Sequence, residues 1–269
     1  HKKLHFAELI YLNELEKESQ SKDKIKLKIV GNYYAVLRDS LPVKNDVKLD
    51  KNMIITGPNA SGKTTIMKSV LINLILTQQI GCGFYDKETV IQPFSHFHCY
   101  LNIPDTSERD SLFQAEARRC KEIIDVVDAE SDKGQEQRHF CVFDELFSGT
   151  NPSEAVKGSV AFMRYLTANE NVVAFLTTHF IKVCQKMENI ETINLNLHSN
   201  PNSKQSNLKC LNYHMVVNVS GKREKIESNQ PNQERKIQMT YKLKKGISKV
   251  KGGLNVLQEL NYPKNFFTI

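Results

Sequence analysis

The chain has 269 residues, 40% hydrophobic and 25% charged, with a net charge of +7. This composition excludes a low-complexity or disordered chain and suffices for one large domain, or two small ones, around a buried core. Mean hydropathy is −0.43, and the most apolar stretch, "SVLINLILT" at 69–77, is too short to span a bilayer, so no membrane association is read. No secretory signal opens the chain, which points to an intracellular setting without resolving nucleus, cytoplasm or organelle. It begins on His1 rather than Met and reads as a piece of something longer. The cysteines, Cys82, Cys99, Cys120, Cys141, Cys184 and Cys210, are scattered with no C-x-x-C pair. Reduced core thiols are therefore expected, not a disulfide framework.

Taken in chain order, "HFAELIYLNELEKE" at 5–18 predicts a helix and "DKIKLKIVG" at 23–31 alternates like a strand. Residues 53–56 form a short buried strand, followed by a loop and a helix over 63–79. A second helix covers 111–130, and its stripe of Phe113, Ala117, Ile124 and Val127 reads as core packing. "HFCVF" at 139–143 is a buried strand. The helix over 151–169 carries its own start signals: Asn151 as N-cap, Pro152 next, and Glu154 to complete a capping box. "NVVAFLTT" at 171–178 is a strand, with a short helix after His179. "CLNYHMVVNV" and "KIQMTYKL" read as paired strands across a polar loop, and "GGLNVLQEL" at 252–260 as a closing helix. Strands alternating with helices predict an α/β, three-layer domain.

Two local features invite a functional reading and do not sustain one. Residues 200–252 hold twelve Lys or Arg against three Glu. Such an arm can touch nucleic acid, but without interleaved aromatics a solvated, loop-rich surface accounts for it. His96, His98 and Cys99 in "SHFHCY" could suggest zinc. Strand alternation sends neighbours to opposite faces and no further ligand cluster lies nearby, so no zinc centre is read.

The loop "GPNASGKTT" at 57–65 is different in kind. Gly57, Gly62, Lys63 and Thr64 satisfy G-x-x-x-x-G-K-[ST], with a strand before and a helix after. The glycines let backbone N–H groups turn inward around phosphate oxygens, and the helix N-terminus favours negative charge. Lys63 would reach the β- and γ-phosphates of ATP. Thr64 would place a hydroxyl on Mg²⁺, and Thr65 lies toward the α-phosphate. The strand at 139–143 delivers Asp144 and Glu145 together. Asp144 suits the carboxylate that holds Mg²⁺, and Glu145 the one that orients or activates the attacking water. Switch-type P-loop proteins lack the second acid; hydrolysing ATPases of the ABC type have it. His179, at the end of the next strand, could sense the γ-phosphate, although a lone strand-end His is more often structural.

In this order the segments resemble the ATPase domain of the MutS family of DNA mismatch repair proteins. "MIITGPNASGKTT" resembles that family's extended P-loop, and "QIGCGF" at 79–84 the motif behind the P-loop helix. "DSLFQAEARRCKEII" at 110–124 resembles its S-T-F-x-x-E segment, and "DELFSGTNPSEA" at 144–155 its D-E-x-x-R-G-T segment. "TTHF" and the closing "MTYKLKKGISKVKGGLNVLQELNYPKNFF" at 239–267 complete the match. The resemblance implies a P-loop NTPase of the ABC ATPase type, a mixed sheet flanked by helices, over residues 27–269. Residues 1–26 would be the end of a lever helix and a linker, and about 198–237 a basic, loop-rich insertion.

It implies ATP and Mg²⁺ as cofactors, with nucleotide held by Gly57, Pro58, Asn59, Ala60, Ser61, Gly62, Lys63, Thr64 and Thr65, and metal by Thr64 and Asp144. Glu145 and His179 would be catalytic, and Ser111 would act in trans on the ATP of a second MutS-like subunit. Double-stranded DNA would be met mainly through domains outside this chain. The departures from the family pattern mark a divergent branch. Pro42–Val43 stand where many relatives place an adenine-stacking aromatic, Ser148 replaces the Arg of R-G-T, and Leu112 replaces a hydroxyl residue. Segments 129–138 and about 198–236 look longer than usual. A recombination or junction-binding relative is the alternative. A transporter-type domain is disfavoured because no L-S-G-G-Q precedes Asp144.

Overall fold

The computed structural model describes residues 5–6, 8–9, 27–49, 52–87, 89–101, 111–132, 137–188, 210–220, 236–248 and 250. In chain order the strands begin with β1 (His5–Phe6), β2 (Glu8–Leu9), β3 (Leu27–Asn32), β4 (Asn45–Lys48) and β5 (Asn52–Thr56). Helix α1 (Lys63–Ile80) follows, then β6 (Cys82–Gly83), β7 (Val90–Ile91), β8 (His96–Tyr100) and α2 (Leu112–Asp132). The second half holds β9 (His139–Asp144), α3 (Pro152–Thr167), β10 (Val172–Thr178), α4 (Ile181–Glu188), β11 (Cys210–Ser220) and β12 (Lys236–Lys245).

The main sheet has the order β12-β11-β5-β10-β9-β8. Its first pair is antiparallel and every other neighbouring pair is parallel. Parallel strands bury both faces, and β9 and β10 are accordingly apolar without alternation. Successive side chains still part to opposite sides. Phe140, Val142 and Phe175 join the core that α1 covers, while Cys141, Phe143 and Leu176 join the one built with α2, α3 and α4. This is the expected three-layer α/β architecture, a mostly parallel sheet flanked by helices.

Local signals set the helix ends. Helix α1 starts behind Gly62 (φ 96°) and stops at Gly81 (φ 74°), whose N–H caps the Thr77 carbonyl at 2.8 Å. At α3 the Asn151 side chain accepts the Ser153 N–H at 2.9 Å, with Pro152 in the first turn. Glu154 does not close the expected capping box: its carboxylate takes the Thr150 hydroxyl at 3.0 Å instead. All six cysteines are free thiols, five of them buried.

Further sequence expectations differ from what is found or fall outside it. Within the helix predicted over 5–18, His5–Phe6 pair antiparallel with Cys82–Gly83, and Glu8–Leu9 pair parallel with Val90–Ile91. Backbone partners supplied from 80 residues away outweigh a weak local helical spacing. A second small sheet, β2-β7-β3-β4, forms there as well. Phe113 is not core but 37% exposed, although its ring lies 5.6 Å from that of Phe147. The rest of 5–18, the closing helix at 252–260 and most of the insertion around 198–237 lie outside the described residues.

Candidate active site

Three neighbouring parallel strands, β5, β10 and β9, end side by side, and each delivers part of one site. Register pairs Thr178 with Thr56 and Thr177 with Asp144. The loop after β5, the acids at the end of β9 and His179 after β10 are thereby gathered at the carboxyl ends of adjacent strands. That is where open α/β sheets bind ligands.

The loop 57–62 is tight for identifiable reasons. A Cβ on Gly57 would sit 2.7 Å from Ser61 Oγ, and one on Gly62 would sit 3.2 Å from the Tyr241 ring while its φ of 96° is left-handed. Ala60 is also left-handed, with φ 61°. Lys63 is 5% exposed and donates to the carbonyls of Gly57 (3.0 Å) and Pro58 (3.3 Å). Its ammonium lies 3.6 Å from Glu145 Oε1. Asn59 and Ala60 are exposed at the tip, and Thr64 and Thr65 are half-buried in the first helical turn.

Thr64 Oγ1 donates to Asp144 at 2.9 and 3.1 Å from the two carboxylate oxygens, and Thr177 donates to Oδ1 of the same group. Glu145 is one-third exposed, has φ 53°, and donates its backbone N–H to Thr177 O at 3.0 Å. His179 Nδ1 lies 3.6 Å from Glu145 Oε2, longer than a hydrogen bond. The imidazole of His179, then the ammonium of Lys63, hold the Glu145 carboxyl below its ordinary range, against the burial that would raise it. Glu145 is therefore a carboxylate at neutral pH.

The predicted residues thus fall into one cluster with one exception. Gly57 to Thr65, Asp144, Glu145 and His179 come together. The described hydrogen bonds of Ser111 are all within its own helix start. Its Oγ accepts the Gln114 N–H at 3.3 Å and its N–H donates to Gln114 Oε1 at 2.8 Å. This is a capping box, on an exposed residue. Thr177 and Tyr241 were not singled out from sequence. Thr177 was visible as the first hydroxyl of "TTHF". Tyr241 lies in a strand pattern where nothing foretold a φ of 56° beside the P-loop.

The site suits a nucleotide and a hard cation. Among the described residues Ser61 Oγ is buried in the loop with no hydrogen-bond partner, and Lys63 donates to two loop carbonyls while facing the Glu145 carboxylate. Oxygen donors from Thr64 and Asp144 stand within 3.1 Å of each other, a donor set that Mg²⁺ accepts. Elsewhere, His96, His98 and His139 stack with ring centroids 4.7 to 6.0 Å apart, and His98 Nε2 meets His139 Nδ1 at 3.1 Å. Among the described residues no three His, Cys, Asp or Glu side chains are placed to hold a metal ion. No helix among them is long and apolar enough to cross a membrane.

A phosphate-binding loop between strand and helix, with two adjacent acids at the end of a strand one place removed, defines a P-loop NTPase domain. Residues 53–268 match the family model described as MutS domain V, and the chain belongs to that family. It is 25% identical over 227 residues to the DNA mismatch repair protein MSH2 of Saccharomyces cerevisiae, covering 82% of this chain and 20% of that protein. Endonuclease MutS2 of Lactococcus lactis is 27% identical over 192 residues, 69% of this chain and 23% of the relative. The mismatch repair protein MSH3 of Candida albicans is 27% identical over 224 residues, 80% and 18% respectively. The chain spans about a fifth of the length of these relatives. It is an ATPase domain of the MutS family.

Proposed function

We propose that this chain binds and hydrolyses ATP in a MutS-like DNA mismatch repair protein, dimerising around ATP to drive conformational changes in DNA-clamping parts outside residues 27–269. The observation that carries this reading is the hydrogen-bonded set Thr64, Asp144 and Thr177 beside Lys63 and Glu145. Lys63 exchanges loop carbonyls for phosphate oxygens, which keeps its charge paired throughout. Thr64 and Asp144 would hold Mg²⁺, which would supply charge neutralisation at the phosphates. Glu145, ionised and aimed by its left-handed backbone, orients the attacking water. His179 stands beside Glu145 and reports the phosphate state through that contact. Tyr241, whose ring lies against Gly62, is the aromatic beside the loop where Pro42–Val43 supply none. Ser111 reaches the ATP of a second subunit from the start of its helix. The setting is intracellular.

Identity to endonuclease MutS2, 27%, matches that to MSH2, 25%, so similarity does not single out mismatch repair, and a second reading stands beside it. In it, the same ATPase gates loading on a recombination junction. One experiment tests both. ATP turnover of the full-length protein is measured with Mg²⁺ alone, with perfect duplex, with a mismatched duplex and with a four-way junction. A response selective for the mismatch supports repair, and one selective for the junction supports the second reading. Absence of Mg²⁺-dependent turnover under all conditions rejects the ATPase.

A further inference from the structure

One buried carboxylate joins helix α2 to the loop behind Asp144. Glu116 is 2% exposed. Its Oε1 accepts both the backbone N–H (3.1 Å) and the hydroxyl (3.0 Å) of Ser148, and its Oε2 accepts the Gly149 N–H at 3.2 Å. The Tyr100 hydroxyl, at the end of β8, accepts the Phe147 N–H at 3.4 Å. Burial, and then the nearby Glu116 charge, hold the Tyr100 phenol above its ordinary range, so it stays protonated. A buried carboxylate supplied with this many donors is a charge-assisted clamp.

What it clamps is strained. Glu145 (φ 53°) and Phe147 (φ 57°) are left-handed without being glycine, a conformation that persists only where the surroundings enforce it. Glu116 is also five residues from Ser111 on one helix. The first turn of that helix presses on the same loop: a Cβ on Gly149 would meet Leu112 Cγ at 2.8 Å, and Phe113 packs on Phe147. Ser148, which replaces an Arg of the family pattern, supplies two of the three donors.

We infer that Glu116 is a positioning residue that ties the Glu145 loop of one site to the Ser111 offered to the neighbouring site. A change in the loop at one ATP then moves Ser111 at the other. This rests on the shared-site reading above. In Glu116→Gln the amide keeps the shape but turns an N–H toward an N–H of Ser148 or Gly149. The described bonds of Glu116 are all to Ser148 and Gly149, so ATP affinity should stay within about twofold while turnover falls at least about tenfold.

Hybrid dimers of the full-length protein, purified through two tags, separate the two arms. Paired with Glu145→Gln, the Glu116→Gln subunit retains one live site, which contains its own altered loop. Paired with Ser111→Arg, the one live site uses the partner's loop and the Ser111 carried by the Glu116→Gln subunit. The control pairs Ser111→Arg with Glu145→Gln and leaves one unaltered site. Both test hybrids should fall at least about tenfold below this control. Control-level turnover in the hybrid that reports on Ser111 overturns the coupling. An inactive control instead rejects the shared site, and the coupling with it. If Glu116→Gln folds poorly, Ser148→Ala removes only the hydroxyl bond and decides the matter: about a threefold fall is expected in both hybrids, and no change in the Ser111 reporter overturns the inference.

Discussion

Replacing Glu145 by Gln should stop hydrolysis and leave ATP bound. The carboxylate stands 3.6 Å from Lys63 Nζ and 3.6 Å from His179 Nδ1, and the imidazole and the ammonium hold it in the charged form. A carboxyl held below its ordinary 4.5 is a weak proton acceptor. Its contribution is therefore to orient water and present negative charge rather than to deprotonate water outright. Losing a positioned group of this kind slows turnover by on the order of 10²–10⁴, about 3–5 kcal/mol of barrier. Gln fills the same volume and touches no predicted phosphate ligand except Lys63, so ATP affinity should shift by less than about threefold. The sign with pH follows from the lowered value. With the carboxyl held below 4.5, the charged form already predominates there and is lost only at lower pH, so this group leaves the rate flat between about pH 6 and 8. Single-turnover hydrolysis with Mg²⁺, beside calorimetric ATP binding and a thermal melt, measures all three quantities. Hydrolysis within about fivefold of wild type, in a folded variant with normal ATP affinity, would refute the role given to Glu145.

Lys63→Ala should weaken ATP about 100-fold, about 3 kcal/mol, because a charge-assisted phosphate contact disappears from a closed loop. Unchanged affinity by calorimetry sinks the P-loop assignment. Mixing apo Ser111→Arg with apo Glu145→Gln subunits should restore about a quarter of wild-type turnover, since about half the dimers are mixed and each has one good site of two. A flat, inactive mixing curve with subunit exchange verified shows that Ser111 does not act across subunits. His98 is buried and lies 3.1 Å from His139 Nδ1. Burial first, then the charges of His139, His96 and Arg119, lower its pKa from 6.5 to about 4. The unfolded chain binds this proton below 6.5 and the folded one does not, so stability falls as pH drops from 6.5 to 4, by about 3 kcal/mol at 1.36 per unit. Urea melts at pH 7 and 4.5 should show His98→Gln losing less than wild type over that interval; equal losses would remove His98 as the cause.

Much of the site was legible because its chemistry is written over short spans. A loop that cradles phosphates needs its glycines, Lys63 and Thr64 at fixed spacing, and strand periodicity placed Asp144 and Glu145 at the end of a buried run. Helix limits were readable where a cap is local, as with Asn151 and Gly81. The helix predicted over 5–18 failed at its described residues because strand pairing comes from Cys82–Gly83 and Val90–Ile91. No local pattern contains that information.

The sequence by itself therefore determined the fold class, the family and which residue types could hold phosphate, metal and water. Only the tertiary structure decided what is joined to what. Thr177 reaches Asp144 through the register of two strands 33 residues apart in sequence. Tyr241 meets the P-loop because β12 folds back along β11 beside β5. Glu116 holds Ser148 and Gly149 because the start of α2 lies against the loop that follows β9. Such contacts depend on directions in space between distant segments. Spacing along a chain specifies the chemistry of each segment but not the partner against which it comes to rest.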